Sequence, residues 1–116
     1  MKKTVMLKKN YEFRKVLSKG KYYSGKYIEA LILLNSKSRN ALGIAVNKKL
    51  GTAVERNHLK RLFRESYYTF EESLNDGQEI VFLWKKSKSL ENATYKNIKE
   101  DMEHIFDKAK ILNKEN

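Results

Sequence analysis

The chain has 116 residues, enough for one domain that buries roughly two-thirds of the surface its unfolded form exposes, and 25 lysines and arginines against 14 acids leave a formal charge of +11. It has no cysteine and two histidines, His58 and His104, which excludes disulfides and thiol chemistry and leaves the usual zinc ligand sets without members. No apolar run approaches the ~18 residues of a membrane span and the basic start lacks the apolar stretch of a signal peptide, so a cytoplasmic protein without membrane contact is expected.

The first element expected is a short helix over Tyr11 to Lys19, capped by Asn10 and stopped by Gly20, with Phe13, Val16 and Leu17 as its apolar stripe. Tyr22 and Tyr23 then either begin one bent strand or form a short strand of their own. The run Tyr27 to Leu34 reads as a buried strand, and SKSRN as a turn into a second strand, ALGIAVN, which predicts a β-hairpin. Thr52-Ala-Val-Glu55 fits a capping box, and Val54 to Phe70 has helical periodicity without Gly or Pro. Asn75-Asp-Gly77 marks a turn, EIVFLW a strand, and Tyr95, Ile98, Met102, Ile105, Phe106 and Ala109 an amphipathic last helix. Tyr95 and Trp84 are expected in the core or packed on the sheet, and the terminal NKEN is expected to fray.

The order α-β-β-(β)-α-β-α predicts an α+β fold: a single domain spanning 1–116 with short frayed termini, built as a two-layer sandwich of a small mixed sheet with packed helices. No internal repeat or linker interrupts it.

Charge is unevenly distributed along this order. Residues 1–26 sum to +8, 27–47 to +1, 48–64 to +5 and 65–116 to −3, so the positive charge lies wholly in the first 64 residues. That polarity fits a polyanionic partner, nucleic acid foremost. Within the long helix, advancing roughly 100° per residue from Val54 gathers Leu59, Leu62, Phe63, Ser66 and Phe70 on one side. Arg56, Asn57, Lys60, Arg61 and Arg64 fall on an arc of roughly 200° to 340° that contains no acid. An ordinary solvated face intersperses acids at i+3 or i+4. Here unscreened cations repel one another until a partner arrives. Arginine offers paired donors to phosphate, lysine a point charge, and Asn57 both a donor and an acceptor for a phosphate, a 2′-hydroxyl or an ion-bound water.

The stretch Ala53-Val-Glu-Arg56-Asn57-His-Leu-Lys60-Arg61-Leu-Phe-Arg64-Glu65, preceded by Lys48-Lys49-Leu-Gly51, resembles the Arg-Asn signature of bacterial ribonuclease P proteins. The resemblance continues through Leu7-Lys-Lys-Asn10, Phe13, Gly20, the strands and the last helix. It departs at His58, where the family often has arginine, and at Leu17 and Leu31, where relatives carry aromatics. It implies a ribosomal protein S5 domain 2-like fold with a left-handed βαβ crossover. It also implies a subunit of an endoribonuclease whose catalytic RNA, with bound magnesium ions, removes the 5′ leader from precursor tRNA, one protein per RNA. On that reading Lys48, Lys49, Arg56, Asn57, Lys60, Arg61 and Arg64 face the catalytic RNA. Phe13, Leu17, Tyr27, Glu29 and Leu31 line a cleft for the single-stranded leader. Phe13 reads equally well as a core residue of its short helix.

Sequence chemistry agrees that the protein supplies no nucleophile, since neither histidine has an obvious acid partner and no H-x-x-x-H, nucleophile elbow or Gly-rich phosphate loop occurs. Three rival readings remain: a generic ribosomal or RNA-remodelling protein, a DNA-binding helix, and a protein nuclease using Glu65, Glu71, Glu72 and Asp76 as metal ligands.

Overall fold

The computed structural model describes residues 4–35 and 37–113. In chain order the elements are β1 (Val5–Met6), α1 (Asn10–Lys19), β2 (Lys21–Ser24), β3 (Ile28–Leu34), β4 (Ala41–Ala45), α2 (Ala53–Phe70), β5 (Gln78–Trp84) and α3 (Tyr95–Ala109). Helix α1 starts one residue early, with Lys9 rather than Asn10 at the cap position. The Glu12 carboxylate closes this end by accepting the backbone N–H groups of Lys8 and Lys9, each at 2.9 Å. Those bonds, that from Lys9 foremost, hold the Glu12 carboxyl below its usual range.

The five strands form one sheet in the order β1-β4-β5-β3-β2. The predicted hairpin between β3 and β4 does not form. Strand β5 lies between them, antiparallel to β3 from Ile28↔Trp84 to Leu34↔Gln78 and parallel to β4 from Ala41↔Glu79 to Ala45↔Leu83. The physical reason is burial. In β5 every residue except Leu83 is buried, on both faces, which only a central position in the sheet allows. Strands β3 and β4 therefore stand two spacings apart, about 10 Å, a gap their six-residue connection spans. The two ends of this connection hold the start of β5: Asn35 N–H donates to Gly77 O, and Asn40 Oδ1 accepts from Gln78 N–H, both at 2.8 Å. The hairpin that does form joins β2 to β3, so Tyr22 and Tyr23 belong to a separate short strand. Strand β1, parallel to β4, was not foreseen because two residues carry no readable period. Helix α2 makes the crossover between the adjacent parallel strands β4 and β5.

One sheet face carries Ile28, Ala30 and Ile32 of β3, Leu42 and Ile44 of β4, and Ile80, Phe82 and Trp84 of β5. Helices α2 and α3 pack on it through Leu59, Leu62, Phe63 and Tyr67 and through Ile98, Met102, Ile105 and Phe106. Phe82 joins the layers, with ring centroids 5.7 Å from Phe63 and 5.9 Å from Phe106. Burial pushes the Tyr67 hydroxyl up to about 12, and it is hydrogen-bonded to Thr4 Oγ1 at 2.7 Å. Trp84 is a core residue, as expected, its indole donating to Lys88 O at 2.9 Å. Tyr95 is not: at the first position of α3 it is 41 % exposed, because the stripe only engages the core from Ile98 onward.

Asp101 fastens α3 to the β2–β3 hairpin. It is 8 % exposed, and its carboxylate accepts the backbone N–H groups of Lys26 at 3.1 Å, Tyr27 at 2.6 Å and Ile28 at 3.0 Å. Of the end expected to fray, Asn113 instead donates its N–H to Ser73 O at 2.5 Å, and the other three residues lie outside the described range.

Candidate nucleic-acid interface

Helix α2 begins where the capping box was read. Thr52 Oγ1 accepts from Glu55 N–H at 3.1 Å while Glu55 Oε1 accepts from Thr52 N–H at 2.8 Å. With Leu59, Leu62, Phe63, Ser66 and Tyr67 buried, the rest of the helix surface is committed to solvent. Asn57 and Arg61 are exposed there, and Arg56, Lys60 and Arg64 half-buried. Half-burial in such side chains is burial of the stem beneath a hydrated head. Phe70, expected on the buried side, is half-buried and packs edge-on against Phe106 at 5.5 Å.

The turn before α2 presents Lys48 and Lys49, both exposed. Asn47 folds it, its Oδ1 accepting from Lys49 N–H at 2.9 Å and its carbonyl from Leu50 N–H at 3.0 Å. Gly51 at φ +62° lets the chain turn into the helix, a conformation that a side chain disfavours. Arg56 reaches back to this turn, with Nη1 donating to Lys48 O and Gly51 O at 2.9 Å each. The fold thus gathers the seven predicted cationic and polar residues onto the turn and the first twelve residues of α2. Glu65 lies just outside the acid-free arc and accepts from Arg61 Nε at 3.0 Å, so that cation is neutralised within the helix.

The second surface lies on the opposite sheet face. Alternation with buried Ile28, Ala30 and Ile32 turns Glu29 and Leu31 toward it. Helix α1 crosses this face with Val16 buried beneath it and Leu17 38 % exposed on its flank. Phe13 lies against Gly43 of β4, where a Cβ would stand 2.6 Å from its ring carbon Cε1, so the missing side chain is what admits the ring. Phe13 is half-buried and stands outside the main core. At the Ala45 and Leu83 end of this face lies a groove of about 500 Å³ lined by Glu29, Ala45, Asn47, Leu83, Trp84, Lys85, Lys86 and Ser87.

Tyr27 meets the groove at one remove: its ring stacks on Trp84, centroids 5.9 Å apart and planes 6° apart, and Trp84 both packs in the helix-covered core and lines the groove. The ammonium groups of Lys26 and Lys88 lie 5.3 and 5.8 Å from the Tyr27 ring centre. An aromatic that sequence reasoning missed takes a place on the groove side. Tyr22 pairs in register with Leu31, is 53 % exposed, and donates its hydroxyl proton to Glu29 Oε2 at 2.5 Å. That bond to Glu29 holds its pKa above the ordinary tyrosine value. Pairing of Lys21–Ser24 with β3 was the one signal that could have found it. Lys85 and Lys86 were also missed, although a lysine pair directly after an apolar strand is legible.

Asn47 belongs to both surfaces. It lines the groove and folds the turn that displays Lys48 and Lys49, so groove and cationic helix form one continuous surface. The rival metal ligands do not gather: among the described residues no three His, Asp or Glu side chains come together as a metal-holding group, and Glu65 is engaged by Arg61.

A family model described as Ribonuclease P matches residues 1–110. The chain is 36 % identical over 110 residues to the ribonuclease P protein component of Clostridioides difficile strain 630, covering 94 % of this chain and 95 % of that protein. It is likewise 36 % identical over 114 residues to the one from Natranaerobius thermophilus, covering 98 % and 97 %. Among solved structures it resembles the Staphylococcus aureus RNase P protein with a TM-score of 0.81 at 28 % identity, covering 96 % of this chain and 100 % of that one. The Thermotoga maritima RNase P protein gives a TM-score of 0.79 at 27 % identity, covering 89 % and 96 %.

Proposed function

Since the chain belongs to the ribonuclease P protein family, and so is the protein component of an endoribonuclease and a partner of the RNase P RNA in tRNA processing, we propose a division of labour between its two surfaces. The cationic face of α2 and its turn binds the backbone of the RNase P RNA. The groove lined by Glu29, Asn47 and Leu83, on the sheet face that α1 crosses, holds the single-stranded 5′ leader of precursor tRNA, one protein serving one RNA in the cytoplasm. The observation that carries this reading is the continuity of the two surfaces through Asn47, which lets one nucleic-acid assembly contact both.

The chemistry follows from the donor set. Phosphate contacts position without reading sequence, which suits a helix face of Arg, Lys and Asn. Phe13 offers a half-buried ring and Leu17 and Leu31 apolar surface, the kind of floor on which bases stack without sequence preference. Magnesium ions supply charge stabilisation for phosphodiester hydrolysis. The residues of α2 do not fit such an ion directly, because cations repel it and Asn57 brings one neutral oxygen. We therefore assign magnesium mainly to the RNA and leave the protein the task of screening the phosphates around it.

Reconstitution tests the proposal. At low magnesium, RNA with protein should cleave the leader efficiently while either component alone should not. Cleavage by protein free of RNA would overturn it in favour of a protein nuclease, and RNA binding without stimulated cleavage in favour of a generic RNA-binding protein. Within the holoenzyme, Phe13→Ala should weaken binding of leader-bearing precursor by about 5- to 150-fold, the value of one lost stacking contact, and leave mature tRNA binding unchanged. Equal losses for both ligands would place Phe13 in the scaffold.

A further inference from the structure

Arg56 stands in the first turn of α2, four residues past its Thr52 cap. A cation is disfavoured at that end of a helix, where the macrodipole is positive. Lys48 and Lys49 crowd the same end from the preceding turn. The guanidinium is nonetheless held inward. Both N–H bonds of Nη1 are directed to backbone carbonyls, Lys48 O and Gly51 O, at 2.9 Å each. The first of these carbonyls belongs to the lysine pair itself and the second closes the turn two residues after Lys49. Asn47 folds the turn upon itself, and Arg56 ties the folded turn to the helix.

We propose that Arg56 acts as a positioning residue, bolting the Asn47–Gly51 turn to α2 so that Lys48 and Lys49 continue the row of Lys60, Arg61 and Arg64 along an RNA backbone. This rests on the reading of the α2 face as the RNA interface. A lysine on a loose turn must be ordered when it meets a phosphate, and that ordering subtracts from affinity. A turn already fixed in the free protein avoids the loss. The planar fork of arginine suits two carbonyls at once, which a lysine head on a pivoting stem does not reproduce. The remaining three N–H donors of Arg56, on Nε and Nη2, leave it able to touch a phosphate as well.

The test compares wild type, Arg56→Lys, the double variant Lys48→Ala with Lys49→Ala, and the three changes combined. Amide hydrogen exchange is measured on the free protein, and RNase P RNA affinity as a function of salt. Arg56→Lys keeps the charge, so a pure charge role leaves it near wild type. The proposal expects exchange at Lys49 and Leu50 to rise about tenfold while amides from Leu59 onward are unchanged. It also expects the salt slope to fall by roughly two units, as in the double lysine variant. Adding Arg56→Lys to that variant should change little more. Unchanged exchange at Lys49 and Leu50, or losses that simply multiply, would overturn the positioning role. If the double lysine variant binds RNA as wild type does, the turn is not in the interface. The proposal then falls with that reading, whereas the exchange data still report whether the bolt exists.

Discussion

Replacing Arg61 and Arg64 together by glutamate is expected to weaken binding of the RNase P RNA by on the order of 100-fold and to lower the salt slope by roughly two units, one per lost phosphate contact. Each reversal removes two charges, taking the formal +11 of the chain to +7, and both changes fall on the helix face proposed to bind RNA. The fold should be unaffected, because Arg61 is exposed and the half-buried Arg64 lies outside the packed stripe of α2. The bond between Arg61 and Glu65 does not protect against the loss. It is an exposed i,i+4 pair, of a kind worth only about 0.3–0.5 kcal/mol, so RNA displaces it easily. The same bond yields a control of opposite sign: Glu65→Gln releases Arg61 and should strengthen binding a few-fold. Filter binding across a salt series measures both. An unchanged affinity and slope in the double reversal would remove α2 from the interface.

The second large effect concerns stability. Asp101→Ala should destabilise the protein by about 3–5 kcal/mol, because it orphans three backbone donors at the hairpin that Asp101 holds. A hydrogen bond to a charged acceptor contributes about 1.5–3 kcal/mol, and a buried donor left unpaired costs about 1–3 kcal/mol. Ile28 N–H is such a donor, since Ile28 is fully buried and water cannot replace the carboxylate. Against a total stability of roughly 5–15 kcal/mol, the loss should lower the melting temperature by on the order of 15 °C. Asp101→Asn keeps the shape and one acceptor oxygen, so it should lie between wild type and alanine. Urea or thermal melts followed by circular dichroism measure the series. A melting temperature within 2–3 °C of wild type for Asp101→Ala, a change of well under about 1 kcal/mol, would show that the three contacts carry little net energy. A lesion at this place should also disturb the groove, because the hairpin carries Tyr22 and Glu29.

Much of the cationic helix α2 was legible in the linear sequence. Its cap, its length, its apolar stripe and its cationic arc are set by residues within a few positions of one another, and the structure places them accordingly. The final helix was legible for the same reason from Ile98 to Phe106, and failed at Tyr95, where the helix starts before it meets the core. The groove was legible only in part. Phe13, Leu17, Glu29 and Leu31 share its side of the sheet, Tyr27 stacks on Trp84 of its lining, and Tyr22 takes a place that pattern alone left open.

By itself the sequence determined where charge accumulates, where α2 and α3 run, and which face of each is apolar, because capping and periodicity are local properties of a chain. Tertiary structure alone decided that β5 enters between β3 and β4, that Asp101 seals a hairpin some 75 residues away in sequence, and that Tyr22 rather than Tyr27 stands beside Leu31. It also decided that Arg56 turns back to hold the Lys48–Lys49 turn. These outcomes depend on which strands exchange backbone hydrogen bonds and in what register. That choice is made by burying a strand that is apolar on both faces, and no local spacing encodes it.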